Sequence, residues 1–183
     1  MISARKAVFL DRDGTLNIEK SYLCDPDQLV LFPDVIPSLQ RLIENHFLLF
    51  VVTNQSGIGR GYYTEEDMHR VNKRLEAVLR PEGITFQKIY FAPEAPEIPS
   101  YGRKPSPQFL LDAAAEFDLN LAHSYMIGDK LSDVECGWNA GVQASILLRT
   151  GYGSETERAM NDKRHACIIV DDLTGAVARI LGH

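Results

Sequence analysis

The sequence predicts an α/β fold built on a doubly wound parallel sheet, with no large cap domain. Three observations point there. Short apolar runs alternate along the chain with segments of helical period, the signature of β-α-β units. Runs such as residues 7–10 and 47–52 are apolar without polar alternation, as in strands covered on both faces. The unusual polar clusters fall just after such runs, at the strand ends where these sheets bind ligands.

The elements follow in order. Residues 7–10 form a first strand, stopped by Asp11 and Gly14. Residues 36–45 place Ile36, Leu39, Leu42 and Ile43 at helical spacing after the start signal Pro33-Asp34. Residues 47–52 are a second strand. Thr64 can cap the next helix, whose acidic first turn suits the positive end of the helix dipole, and which runs to about Leu79 before Pro81 and Gly83. Strands at 88–91 and 124–127 and helices at 107–117 and 134–140 continue the alternation. Strands at 144–148 and 167–170 and a helix at 173–181 close it. Residues 92–107 are a Pro-rich loop, and 153–164 read as a charged surface connection. Cys136 and Trp138 are assigned to the core. His46, His123 and His165 lie near element ends, and none is placed for catalysis.

A chain of 183 residues is one domain's worth, and the whole of 1–183 is assigned to it. The net charge of −6 disfavours non-specific attachment to nucleic acid or an anionic membrane. Cys24, Cys136 and Cys167 are scattered, which suggests neither a disulfide framework nor a zinc site and fits a reducing cytoplasm. The apolar run after Met1 is too short for a signal peptide, and no run is long enough to span a bilayer. The expectation is a cytoplasmic monomer.

Four polar clusters carry the chemistry. Asp11 and Asp13 stand two residues apart just past a strand, where they repel unless a cation is near. A strand-end turn would use the same residues. Thr53-Asn54-Gln55-Ser56-Gly57 offers hydroxyls, amides and backbone N–H groups suited to phosphate oxygens, and reads equally well as a turn. Arg103-Lys104-Pro105 supplies adjacent cations before a helix. Gly128-Asp129-Lys130-Leu131-Ser132-Asp133 places two carboxylates and a lysine at a strand-to-helix turn.

In this order, D-x-D-G-T, a strand-end Thr, a Lys and then G-D-x-x-x-D, the clusters resemble the haloacid dehalogenase superfamily of phosphotransferases. The resemblance implies a Rossmannoid domain and a Mg2+-dependent phosphatase. Asp11 would be the nucleophile that forms an aspartyl-phosphate. Asp13 would be the general acid and then the base. Thr53 and Lys104 would stabilise the transferring phosphoryl group. The metal would be held by Asp11, Asp129 and the backbone carbonyl of Asp13. Asp133 would orient the metal shell or Lys130.

The words around these positions, from Phe9 to Asn17, Val52 to Gly61, Arg103 to Pro105 and Met126 to Lys130, resemble the heptose-bisphosphate and histidinol-phosphate phosphatase branch. That implies a small phosphorylated sugar as substrate, with Arg103 and Lys130 on its second phosphate. Glu19, Lys20, Ser21 and Tyr22 would form the substrate rim, with Asn54, Gln55 and Ser56 also binding substrate. Many members carry a zinc site in the loop after the third strand. Residues 91–102 contain no Cys or His, so no zinc is expected. Histidinol phosphate remains an alternative substrate. The run Thr53 to Gly61 also resembles polynucleotide 3′-phosphatases, and an inert phosphosugar-binding module is a third reading.

Overall fold

The computed structural model describes residues 5–160 and 167–182. Six strands form one parallel sheet: β1 (Lys6–Leu10), β2 (Phe47–Asn54), β3 (Lys88–Ala92), β4 (Tyr125–Gly128), β5 (Ala144–Leu148) and β6 (Ile168–Val170). Their spatial order is β3-β2-β1-β4-β5-β6. The chain winds outward from β1 through β2 to β3, returns to the middle, and winds the other way from β4. The winding therefore reverses between β1 and β4, which pair with Phe9 opposite Met126 and Leu10 opposite Ile127.

Among the described residues, seven α-helices connect and cover the strands: α1 (Val35–Glu44), α2 (Ser56–Gly59), α3 (Glu65–Leu79), α4 (Gln108–Phe117), α5 (Leu131–Ala140), α6 (Gly153–Ala159) and α7 (Leu173–Leu181). The period-two alternation of β1 sorts them into two layers. Val8 and Leu10 pack with Leu39 and Leu42 of α1, Leu75 and Leu79 of α3, and Val177 of α7. Ala7 and Phe9 face the other way, against Leu110 of α4 and Cys136 and Ala140 of α5. Both faces of β1 are covered, which is why its sequence shows no polar alternation. Trp138 is partly buried against Val134, Leu147 and Met160.

Local chemistry sets the ends. Thr64 and Asp67 form a reciprocal cap on α3: Asp67 N–H donates to Thr64 Oγ1 at 3.2 Å and Thr64 N–H to Asp67 Oδ2 at 2.8 Å. Three differences from the sequence expectation exceed a single residue. β2 continues through Thr53 and Asn54, which pair with Phe91 and Ala92. α5 begins at Leu131, because the Asp133 side chain accepts the Lys130 N–H at 2.9 Å and closes the first turn early. Residues 153–159 are helical rather than an irregular connection. Thr156 Oγ1 donates to the Asp129 carbonyl at 2.9 Å, and Arg149 holds Glu157 at 2.6 Å. The remainder of that expected connection, and His165, lie outside the described residues. No described helix is long and apolar enough to cross a membrane.

Candidate active site

The two acids nearest the reversal come from opposite halves of the sheet. Asp11 follows β1, with its N–H donating to the Ile127 carbonyl of β4 at 2.9 Å. Asp129 follows β4 and is fully buried. Between them the chain turns at Gly14 (φ 85°), where a Cβ would fall 2.2 Å from Asp129 Oδ2. Gly151 approaches the same oxygen from the loop after β5, and a Cβ there would also fall at 2.2 Å. The Tyr152 N–H donates to that oxygen at 2.8 Å. Asp129 is thus clamped by backbone and has nowhere to retreat.

Lys104 reaches the cluster from the loop after β3. The Asn54 amide grips its backbone at both ends, accepting the Lys104 N–H at 3.0 Å and donating to its carbonyl at 3.1 Å. The Lys104 ammonium lies 2.8 Å from Asp11 Oδ1 and 2.6 Å from Asp133 Oδ1, and donates to the Val52 carbonyl at 2.6 Å. Burial alone would lower its pKa, but Asp11 and Asp133 outweigh it and hold the ammonium charged. Asp133 therefore pairs with Lys104, and its link to Lys130 is to the backbone N–H, not the side chain.

One ligand atom from each of Asp11, Asp129 and Asp133 lies within 4.8 Å of the others. Asp129 Oδ1 is buried without a hydrogen-bond partner. Burial, then the Asp11 charge, pushes its carboxyl up to about 7. An orphaned, buried oxygen among like charges is what a hard cation with oxygen ligands would satisfy. Asp133 is occupied by Lys104 and the α5 turn, so Asp11 and Asp129 are the open pair.

Asp13 faces a separate polar network. Its Oδ2 accepts from Arg12 Nη2 at 2.8 Å, Arg12 Nε at 3.2 Å and Gln55 Nε2 at 3.0 Å, and its Oδ1 accepts from Asn17 at 2.9 Å. Burial raises the Asp13 carboxyl, but Arg12 and these hydrogen bonds together hold it below its ordinary value. Thr53 is buried beside it.

A cleft of about 500 Å³ opens over these groups. It is lined by Asp11, Asp13, Thr53 and Lys104, and by Glu19, Ser21, Tyr22, Asn54, Gln55, Ser56, Arg103 and Lys130 of the expected substrate set. Lys20 does not line it and is exposed, whereas its neighbours Glu19, Ser21 and Tyr22 border the cleft where the 19–22 segment turns. Ser21 (φ 43°) and Tyr22 (φ 71°) take up left-handed backbone to make that turn. At the rim, Lys130 Nζ lies 3.3 Å from Glu19 Oε2. Burial, then the nearby Arg60 cation, lowers the Arg103 pKa, and its Nη1 donates to the Glu94 carbonyl at 3.0 Å. Two of the expected substrate contacts, Asn54 and Gln55, have side-chain amides already occupied by protein groups. Arg12, Tyr63, Tyr152 and Gly151 were missed in the sequence, since nothing local distinguishes them from turn and surface residues.

Comparison with known proteins fits this geometry. A family model for HAD-hydrolase-like proteins matches residues 101–176. A D-glycero-beta-D-manno-heptose-1,7-bisphosphate 7-phosphatase of Helicobacter pylori is 40% identical over 149 residues, covering 81% of this chain and 86% of that protein. The chain belongs to the haloacid dehalogenase-like phosphatases. A D-glycero-alpha-D-manno-heptose-1,7-bisphosphate 7-phosphatase of Burkholderia mallei is 37% identical, covering 78% of this chain and 79% of that protein. The crystal structure of the D,D-heptose 1,7-bisphosphate phosphatase of B. bronchiseptica with magnesium and phosphate superposes with a TM-score of 0.88 at 28% identity, covering 97% of this chain and 98% of that one.

The protein is thus a phosphatase on an α/β haloacid dehalogenase-like fold. In this phosphatase the connections from β1 to β2 and from β2 to β3 hold only loops, single turns and the helices α1, α2 and α3. No inserted cap domain covers the cleft among the described residues, so loops and helix ends form its rim.

Proposed function

We propose that this phosphatase removes the 7-phosphate of D-glycero-D-manno-heptose 1,7-bisphosphate by way of an aspartyl-phosphate on Asp11. The observation that carries the reading is the meeting of Asp11, Lys104 and Asp129 at the switch point, beneath a cleft that Arg103 and Lys130 also line. The names of the relatives support the sugar.

The chemistry follows from the geometry. Asp11 attacks phosphorus as the bond to the leaving sugar oxygen breaks, and Asp13 gives that oxygen its proton. Water then attacks the phosphoryl group on Asp11, Asp13 takes the water's proton, and inorganic phosphate and free Asp11 result. Lys104 fixes Asp11 and, with Thr53, faces the charge on the transferring group. Asp11, Asp129 and the Asp13 carbonyl would hold Mg2+, which neutralises charge between the carboxylate and the phosphate dianion. Arg103 and Lys130 hold the phosphate that is not broken. Ser56, Tyr22 and Glu19 face the sugar between them. We read residues 1–183 as a single domain acting as a cytoplasmic monomer. The net charge of −6 and the three free cysteines support that placement.

The test is kinetic. With Mg2+ present, kcat/KM is compared for both heptose 1,7-bisphosphate anomers, histidinol phosphate and a 3′-phosphorylated oligonucleotide. We expect a heptose bisphosphate to exceed histidinol phosphate by more than about tenfold. Phosphorus NMR should show the 1-phosphate retained. A preference for histidinol phosphate or the oligonucleotide would overturn the substrate while leaving the mechanism standing.

A further inference from the structure

Gln55 sits at the end of β2, two residues beyond Thr53, and is 3% exposed. Its amide uses its full capacity of two donors and two acceptor sites. Nε2 donates to Asp13 Oδ2 at 3.0 Å and to Thr53 Oγ1 at 2.8 Å. Oε1 accepts from Arg12 Nη2 at 3.1 Å and from the Tyr63 hydroxyl at 2.6 Å. Its backbone N–H is committed as well, donating to the Ala92 carbonyl at 2.8 Å. No donor of Gln55 is left for a substrate.

The partners admit one orientation of this amide. Turned over, its oxygen would face the Asp13 carboxylate and its NH2 would face the N–H groups of Arg12. Arg12 is itself fixed: its guanidinium is completely buried, and Nη1 donates to Asn72 Oδ1 on α3 at 2.9 Å. The chain of contacts runs from α3 through Arg12 to Gln55, and from there to two groups of the proposed mechanism.

We infer that Gln55, locked by Arg12 and Tyr63, is a positioning residue that aims the Thr53 hydroxyl and the Asp13 carboxylate at the reacting phosphoryl group. Because Thr53 Oγ1 accepts from Gln55, its own proton is free to donate into the cleft, where a phosphoryl oxygen arrives. Because Asp13 Oδ2 already takes three donors and Oδ1 one, Oδ1 is the oxygen left to face the leaving group and the water. The inference rests on the mechanism proposed above and adds to it a role for Gln55, Arg12 and Tyr63.

The test uses Gln55→Leu and Tyr63→Phe with Mg2+. The substrates are heptose 1,7-bisphosphate, whose alkoxide leaving group needs a proton, and p-nitrophenyl phosphate, whose leaving group does not. Gln55→Leu should lower kcat on the sugar about 100-fold with KM changed less than about threefold, and should lower kcat/KM on the aryl ester, which reports only the steps up to loss of nitrophenol, about tenfold less than it lowers kcat/KM on the sugar. Tyr63→Phe, which keeps the Gln55 contacts to Asp13 and Thr53, should lose only about three- to tenfold on the sugar. A raised KM at unchanged kcat would overturn the inference by making Gln55 a substrate contact. Equal losses of kcat/KM on both substrates, tracking a fall in Tm, would overturn it by making the network structural. An Asp11→Asn control separates the two levels. Turnover surviving in that variant refutes the parent mechanism. An inactive Asp11→Asn beside an unaffected Gln55→Leu refutes this inference alone.

Discussion

Lys104 Nζ lies 2.8 Å from Asp11 Oδ1 with almost no water around either, the two side chains being 1% and 5% exposed. A buried pair of this kind is costly to break from one side, because the partner is left as an uncompensated charge. In Lys104→Met, both Asp11 and Asp133 lose their cation. We expect a loss of about 3–5 kcal/mol at pH 8 and a fall in kcat of at least about 100-fold. The stability deficit should shrink at pH 5, because burial raises the Asp133 carboxyl and, without the lysine, it can take up a proton there. Thermal melts at the two pH values check this.

The second prediction concerns the protein stripped of divalent ions. Unfolded, the Asp129 carboxyl loses its proton at the ordinary aspartate value of 3.8, and folded it does so at about 7, through burial and the Asp11 charge. Between these limits the unfolded chain binds fewer protons, so stability falls as pH rises. Below about 3.8 this contribution is fully present, and above about 7 it is gone. In EDTA, Tm should therefore drop by several °C between pH 5 and pH 8. Excess Mg2+ should recover most of the loss at pH 8, since an ion that binds only the folded state stabilises it by mass action. A Tm that is flat in pH and indifferent to Mg2+ would contradict the acid pair.

Gly14→Ala tests the clamp on Asp129. The new Cβ would meet Asp129 Oδ2 at 2.2 Å from a backbone with φ 85°. The left-handed conformation alone costs an alanine about 1–2 kcal/mol. Displacing the carboxylate should also abolish the Mg2+-dependent rise in Tm and leave under about 1% of activity. Calorimetric titration with Mg2+ distinguishes this from simple destabilisation.

Asp13→Asn separates the two halves of the reaction. With p-nitrophenyl phosphate the first transfer needs no proton donor, whereas hydrolysis still needs a base. The variant should show a burst of nitrophenol equal to the enzyme concentration, then turnover slowed by about 10²–10⁴-fold. Intact-mass spectrometry should show one phosphoryl group, and its absence in Asp11→Asn would assign it to Asp11.

How much was legible in the sequence depended on how local the chemistry was. Asp11, Asp13 and Gly14 lie in one short segment after an apolar run, so their grouping was visible. Lys104 was visible only through its order along the chain, because its partners arrive from elsewhere, Asp11 from the loop after β1 and Asp133 from the first turn of α5. Asn54 and Gln55 offered amides at a strand end, which suit a phosphate. The sequence could not show that Lys104's backbone occupies one of them and Asp13, Thr53, Arg12 and Tyr63 the other. Arg12 reads as a surface cation until α3 covers it. The helix at 153–159 was hidden for a related reason. Its sequence carries no apolar period, and tertiary partners such as Asp129 and Arg149 hold it.

The reversal of winding between β1 and β4 has a consequence beyond catalysis. Asp11 and Asp129 belong to halves of the chain that could be made as separate polypeptides, divided in the exposed turn around His123 that precedes β4. Neither piece would hold a working pair of acids. Phosphate would be released only when the two pieces had found each other and zipped β1 against β4, so hydrolysis becomes a reporter of assembly. The fold is in this sense a two-key lock.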